Sequence, residues 1–237
     1  MIGRVLLAAL LAGIVAGIFM GAIQHVRITP LILAAEKFEE ADNLKAGKNG
    51  CVENMPGMTM CGEGEGWKPR VGIARTAFTT LASMMAGAGY AAMIAGVSLL
   101  AGVPVSRHNG LIWGLCGFLA VTVAPGAGLP PDIPGMPAAD LLPRQVWWAG
   151  TILATGAGLY LIAVRRETLA IAAAVALIAL PHLIGAPQPP DAATSVPPGL
   201  AAGFAANTVA AAAVFWALIG LFTGIAVSRA APELSSE

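Results

Sequence analysis

The chain has 237 residues, of which 57% are hydrophobic and 11% charged, with Lys+Arg 13 balancing Asp+Glu 13. A soluble domain averages about 25% charged residues, and a chain of this size cannot hide so much apolar surface from water. The charge balance carries no footprint for nucleic acid, and the composition predicts an all-α integral membrane protein of one transmembrane domain, residues 1–237.

Six apolar runs predict spanning helices at roughly 5–23, 76–101, 109–124, 146–164, 169–186 and 204–227, against the about 20 residues a span needs. The third is short and the fifth is interrupted by Pro181, so a five-span bundle is the alternative. Backbone polar groups in lipid need internal partners, which selects helices. The alternating ten-residue strands of a membrane barrel are absent from the sequence.

The first run follows Arg4, as a signal peptide would. Its apolar stretch from Val5 to Ile23 is longer than a secretory h-region and no A-x-A site follows, so an uncleaved first helix is expected. Gly13, Gly17 and Gly21, extended by Ala9, make a small-residue stripe that lets a helix approach closely, within the bundle or with a partner helix. Residues 24–71 are predicted as a long extracytoplasmic loop. His25 closes the first span, and Glu36, Lys37, Glu39, Glu40 and Asp42 suggest a solvated amphipathic helix.

Within that loop lies CVENMPGMTMCGEGEGW, Cys51–Trp67. Outside the cytoplasm Cys51 and Cys61 are expected to form a disulfide, restraining the unfolded loop by roughly 2–3 kcal/mol on the chain-entropy model. Met55, Met58 and Met60 then either pack on the membrane surface or present thioethers to a soft ion. The spacing matches no four-ligand zinc pattern.

Farther along, Arg75 opens the second span as a snorkelling residue. His108 sits in a tight turn beside Arg107 with an ordinary solvated role, and Cys116 is mid-helix and inert. The proline-rich stretch Ala124–Trp148 is too stiff for a flexible linker and is expected to cover the outer mouth. Its Asp132 and Asp140 are either oxygen ligands or cap and turn residues. Trp67, Trp147 and Trp148 mark the outer interface. In PHLIGAPQPP, Pro181–Pro190, the proline must kink, unwind or stop the helix. His182 beside it is either a ligand or proton carrier at a broken helix, or an interfacial residue at a capped end.

Arg4, Arg107, Arg165, Arg166 and Arg229 fall on one side of a six-span topology, and the short loops opposite hold only Arg144. The positive-inside rule then places both termini in the cytoplasm of an inner, cytoplasmic membrane.

Four stretches in order resemble the CbtA family of proposed cobalt transporter subunits. They are MGAIQHVRITPLILAAEKFEEA (Met20–Ala41), WKPRVGIARTAFT (Trp67–Thr79), LPPDIPGMPAADLLPRQVWW (Leu129–Trp148) and PHLIGAP (Pro181–Pro187). The resemblance implies uptake of Co(II) for cobalamin synthesis and a small single-span, CbtB-like companion that bears histidines. Where the family's first loop is often rich in histidine, this one offers Met and Cys, which suit softer ions.

The expected function is a membrane subunit of a divalent-metal uptake transporter. His25, His182, Met55, Met58, Met60 and Asp132 would line the outer face where the ion arrives. The metal would be cargo, with no resident cofactor. A scaffold subunit whose partner carries the metal is the alternative, with the glycine stripe as its contact face; self-association is also compatible. No G-x-x-x-x-G-K-[ST] motif occurs, so ATP would act through a partner, and neither G-x-S-x-G nor H-x-x-x-H points to an enzyme.

Overall fold

A computed structural model describes residues 2–45, 52–55, 58–60, 72–165, 167–190 and 193–234. Helix α1, Ile2–Ile23, runs through a π turn at Gln24–Ile28 directly into α2, Thr29–Lys45. The 43 residues from Ile2 to Leu44 make one rod, about 65 Å long at 1.5 Å per residue and so twice the thickness of a hydrocarbon core. The segment expected as a loop from residue 24, with an amphipathic helix around Glu36–Asp42, is helical without a break from α1 as far as Lys45. No glycine interrupts it before Gly47, and Pro30 near the start of α2 widens the helix rather than ending it. Pro30 has no N–H to give and its ring crowds the carbonyl of Val26. The π turn relieves this: the Thr29 N–H bonds back to the Gln24 carbonyl.

The same device recurs later in the chain. Helix α4, Gly110–Phe118, passes through a π turn at Leu119–Val123 into α5, Ala124–Gly128, and Pro125 lies just beyond that turn. Before it, β1 (Val52–Met55) and β2 (Met58–Met60) form an antiparallel hairpin, followed by α3, Ile73–Leu100. After it come α6 (Leu141–Val164), α7 (Thr168–Ile184) and α8 (Pro198–Ala230). Among the described residues, five helical segments are long and apolar enough to cross a membrane. The sixth, α7, has 17 residues and measures about 25 Å, a little short of a full span. Pro181 lies inside α7, and the helix goes on for one further turn before Gly185, at φ 88°, stops it.

Lipid supplies no hydrophobic drive between helices, so close backbone approach has to hold them together. Along the antiparallel α1–α3 contact, a Cβ on Gly13 would collide with the backbone of Gly87, and one on Gly17 with Ser83 and Met84. The glycine stripe of α1 is thus filled by α3 of the same chain and is not open to a partner. A second small-residue seam joins α4 to α8, with Gly110 and Gly114 against Gly220 and Gly224. Beside it Trp216 is buried, stacks on Tyr90 with ring centroids 4.6 Å apart, and donates Nε1–H to Thr122 Oγ1 at 3.2 Å. Helix α8 also lies against α1, where Phe19 meets Phe222. Helices α6 and α7 form their own pair, with Gly158 against Ala174 and Ile178.

Beyond the bundle, α2 turns an apolar face formed by Ile28, Leu31, Ile32, Ala35 and Phe38 into the core. That spacing of three and four is one stripe of an amphipathic helix. Ile133 and Met136 from the proline-rich segment, with Val196 and Leu200, belong to the same apolar cluster. Polar ties close the cap. Thr194 Oγ1 donates to the Gly135 carbonyl at 2.8 Å, and Ser195 Oγ donates to Asp42. The Arg75 guanidinium grips Glu36 through both nitrogens, at 2.6 and 3.1 Å, fastening α2 to the start of α3. Arg75 is therefore paired rather than merely snorkelling, and Glu36 is not a freely solvated charge.

Two stability outcomes follow. Gly87→Ala should lower the unfolding free energy in detergent by about 1–3 kcal/mol, as overpacking does. Gly89→Ala, in open space on the same helix, should be neutral or slightly stabilising, and thermal unfolding of the two variants side by side checks this. For the half-exposed Glu36–Arg75 pair, a double-mutant cycle with Glu36→Gln and Arg75→Gln should return a coupling of about 1 kcal/mol. Simple additivity would remove its role in holding the cap.

Candidate functional site

The end of the α1–α3 seam nearest the α2 cap is polar. Its residues are brought there by the π turn that Pro30 imposes. His25 projects from that turn and is exposed. Its Nδ1 lies 3.0 Å from Thr76 Oγ1, on the first turn of α3. The same hydroxyl donates to the Gly72 carbonyl at 3.3 Å. One residue before, Gln24 Oε1 lies 3.4 Å from Ser83 Oγ, whose one proton goes either there or to the nearer Thr79 carbonyl at 2.9 Å. With the Glu36–Arg75 pair above, His25 sits in a continuous run of hydrogen-bonding groups between two helices.

The other predicted residues lie elsewhere at the same end. His182 is exposed on the last turn of α7, its ring edge-on to Trp147 with centroids 5.8 Å apart. Trp147 holds that turn by donating Nε1–H to the Pro181 carbonyl at 3.0 Å, and the Gly185 N–H donates to the same oxygen at 3.1 Å. Asp132 accepts from Arg144 at 3.0 Å. Asp140 stands at the N-cap position of α6, where its backbone carbonyl accepts from the Arg144 N–H at 3.3 Å and its side chain makes no capping hydrogen bond. The helix of His25 packs on α3 and α8, whereas that of His182 packs on α6 and α5, so the two imidazoles sit on separate groups of helices.

Met55, Met58 and Met60 belong to the hairpin strands, where Met55 pairs with Met58 and Val52 with Met60. Cys51, Cys61 and Trp67 lie outside the described residues, and the expected disulfide with them. Cys116 is a half-buried free thiol on α4. Among the described residues, no three His, Cys, Asp or Glu side chains gather where they could hold one ion. The arrangement offers single, separately oriented donors.

Three residues that shape this end escaped the sequence reading: Thr76, Gln24 and Glu36 as the partner of Arg75. Arg75 itself was the available signal. A cation at the edge of an apolar span calls for a counter-ion, and α2 carries the nearby acids.

The family model for CbtA, described as a probable cobalt transporter subunit, matches residues 2–228, nearly the whole chain. No curated protein and no solved structure matches it. The matched span takes in the α1–α2 rod, the polar seam around His25, the proline-rich cap and all the later helices, so this multi-pass membrane protein belongs to the CbtA family of probable cobalt transporter subunits.

Proposed function

We propose that the chain is the membrane-embedded subunit of a cobalt uptake system, with the α2 cap facing outward and His25 as the first fixed ligand an arriving ion meets. The hydrogen bonding of His25 carries this reading. A threonine hydroxyl has one proton, and that of Thr76 is directed to the Gly72 carbonyl. We assign the His25 tautomer accordingly: with the Thr76 proton on the Gly72 carbonyl, the hydroxyl accepts from Nδ1–H of His25 and Nε2 keeps its lone pair. Metal-binding histidines are commonly oriented in this way by a partner on the other ring nitrogen. Imidazole suits Co(II), and π turns recur at functional sites.

A lone imidazole binds a divalent ion weakly, which suits passage, since an ion that enters must also leave. Met55, Met58 and Met60 on the hairpin, His182 on α7 and Asp132, once released from Arg144, are the flanking donors of this face. A histidine-bearing single-span partner would complete the coordination shell. The chain has no nucleotide-binding motif, so energy would come through a partner or the ion gradient. We read it as a transporter subunit rather than an enzyme.

The side of the membrane follows from charge. Arg4, Arg107, Arg165 and Arg229 lie at the end of the bundle opposite the cap, where the start of α1 and the end of α8 also fall. That is the pattern of a cytoplasmic face of the inner membrane.

Uptake of labelled cobalt by a cobalt-limited, cobalamin-requiring strain tests the site at matched expression. His25→Ala should abolish most uptake. Thr76→Val should lower it by about tenfold, the usual scale for losing a residue that orients a metal ligand, and Thr76→Ser should restore it. Gln188→Ala, exposed at the same end, should transport normally. Undiminished uptake by His25→Ala would remove this residue from the path. For orientation, a membrane-impermeant maleimide applied outside intact cells should label Gln188→Cys and spare Glu167→Cys; the reverse pattern inverts the protein.

A further inference from the structure

At the end of the bundle away from the cap, the turn between α3 and α4 meets the last turns of α8. The Arg107 backbone N–H donates to Ser228 Oγ at 3.0 Å and closes this corner. Around it, Arg107, His108, Ser228, Arg229 and Ile225 line a cavity of about 390 Å³. Both arginines and the histidine are exposed. Among the described residues neither guanidinium has a carboxylate within ion-pair distance. Among the described residues, the acids at this end, Glu167 and Glu233, do not line the cavity. The first turn of α4 begins two residues after His108 and adds the positive end of its dipole. Two unpaired guanidiniums, an imidazole and a hydroxyl around one hollow form a site for a phosphate-type anion, since arginine matches phosphate oxygens in a two-pronged fashion.

The cavity does not end at the charges. Ile225 and Arg229 are shared with a groove of about 500 Å³ that runs between α1 and α8. Ala8, Ala12 and Val15 line it from α1, and Phe222 and Ala226 from α8. Small side chains leave a channel between two spanning helices, apolar throughout its length below Arg229. A free inorganic anion has no use for such a channel, whereas an acyl chain attached to a phosphate fits both parts.

We infer that this corner is a binding site for an anionic phospholipid, its phosphate held by Arg107, His108 and Arg229 and one acyl chain laid in the α1–α8 groove. The site is distinct from the outer face and does not depend on the transport reading. It faces the leaflet where basic residues between spanning helices meet acidic headgroups.

Native mass spectrometry of the full chain, released from nanodiscs made with phosphatidylglycerol or phosphatidylcholine of identical acyl chains, tests it. One phosphatidylglycerol per chain should survive delipidation, with a preference of about tenfold or more over phosphatidylcholine, on the scale of two arginine contacts. The double variant Arg107→Gln/Arg229→Gln should lose that preference, and Arg165→Gln, at the same end but outside the cavity, should keep it. Phosphatidylglycerol with a photoreactive group in its acyl chain should cross-link to α1 and α8 of the unaltered protein. Equal retention of the two lipids, a preference that survives the double variant, or cross-links confined to other helices would each overturn the proposal. So would complete displacement of the lipid by millimolar inorganic phosphate, which would make the corner a site for soluble anions.

Discussion

Everything in this molecule rests on how near two backbones can come without side chains between them. Where Gly13 of α1 faces Gly87 of α3, each residue's missing Cβ is occupied by the other's carbonyl. In water, burying leucines would bring helices together; in lipid, tails solvate leucine as well as protein does, and association relies on close packing and interhelical polar contacts. The α1–α3 seam sets the distance at which Thr76 can reach His25 and Arg75 can reach Glu36. The α4–α8 seam, with glycine facing glycine a second time, sets the position of the opposite corner. Larger residues at these points would separate the helices and both polar arrangements with them.

The spanning helices were legible because a membrane imposes a length. A run of about 20 apolar residues matches the thickness of the hydrocarbon layer, and the six runs correspond to the helices that form. The α4–α8 seam was equally written in the chain, as Gly110-x-x-x-Gly114 and Gly220-x-x-x-Gly224. So were the π turns, once Pro30 and Pro125 are taken as widening a helix instead of breaking it. The continuation into α2 was hidden by its charges. Lys37 and Glu40 lie on its exposed side, Glu36 and Asp42 on the ties to Arg75 and Ser195, and Ile28, Leu31, Ile32, Ala35 and Phe38 on the buried one.

The candidate site was legible in part. His25 and His182 stand out because histidine is scarce and both close a span. Their partners do not stand out, since Thr76 lies 51 residues from His25 and Arg75 39 residues from Glu36. Only the antiparallel return of α3 along α1 joins them. Local sequence also could not separate Asp132 as a ligand from Asp132 as a partner of Arg144, because both uses place a carboxylate in a turn. Pro181 was recognised as a disturbance, but its effect is mild. It falls one turn before the end of α7, where Trp147 and the Gly185 N–H share its carbonyl.

The uninterrupted rod from α1 through α2 links the cap to the bilayer itself. A spanning helix adjusts its tilt to the thickness of the hydrocarbon layer around it. In most multi-pass proteins a flexible loop absorbs that adjustment before it reaches anything outside. Here α2 is the same rigid element as the span, so a change in tilt becomes a sideways swing of the cap, greatest at its far end. The swing pulls directly on the ties from Asp42 to Ser195 and from Glu36 to Arg75. Membrane thickness thus enters the geometry of the cap as a mechanical variable, with the π turn at His25 as the fulcrum.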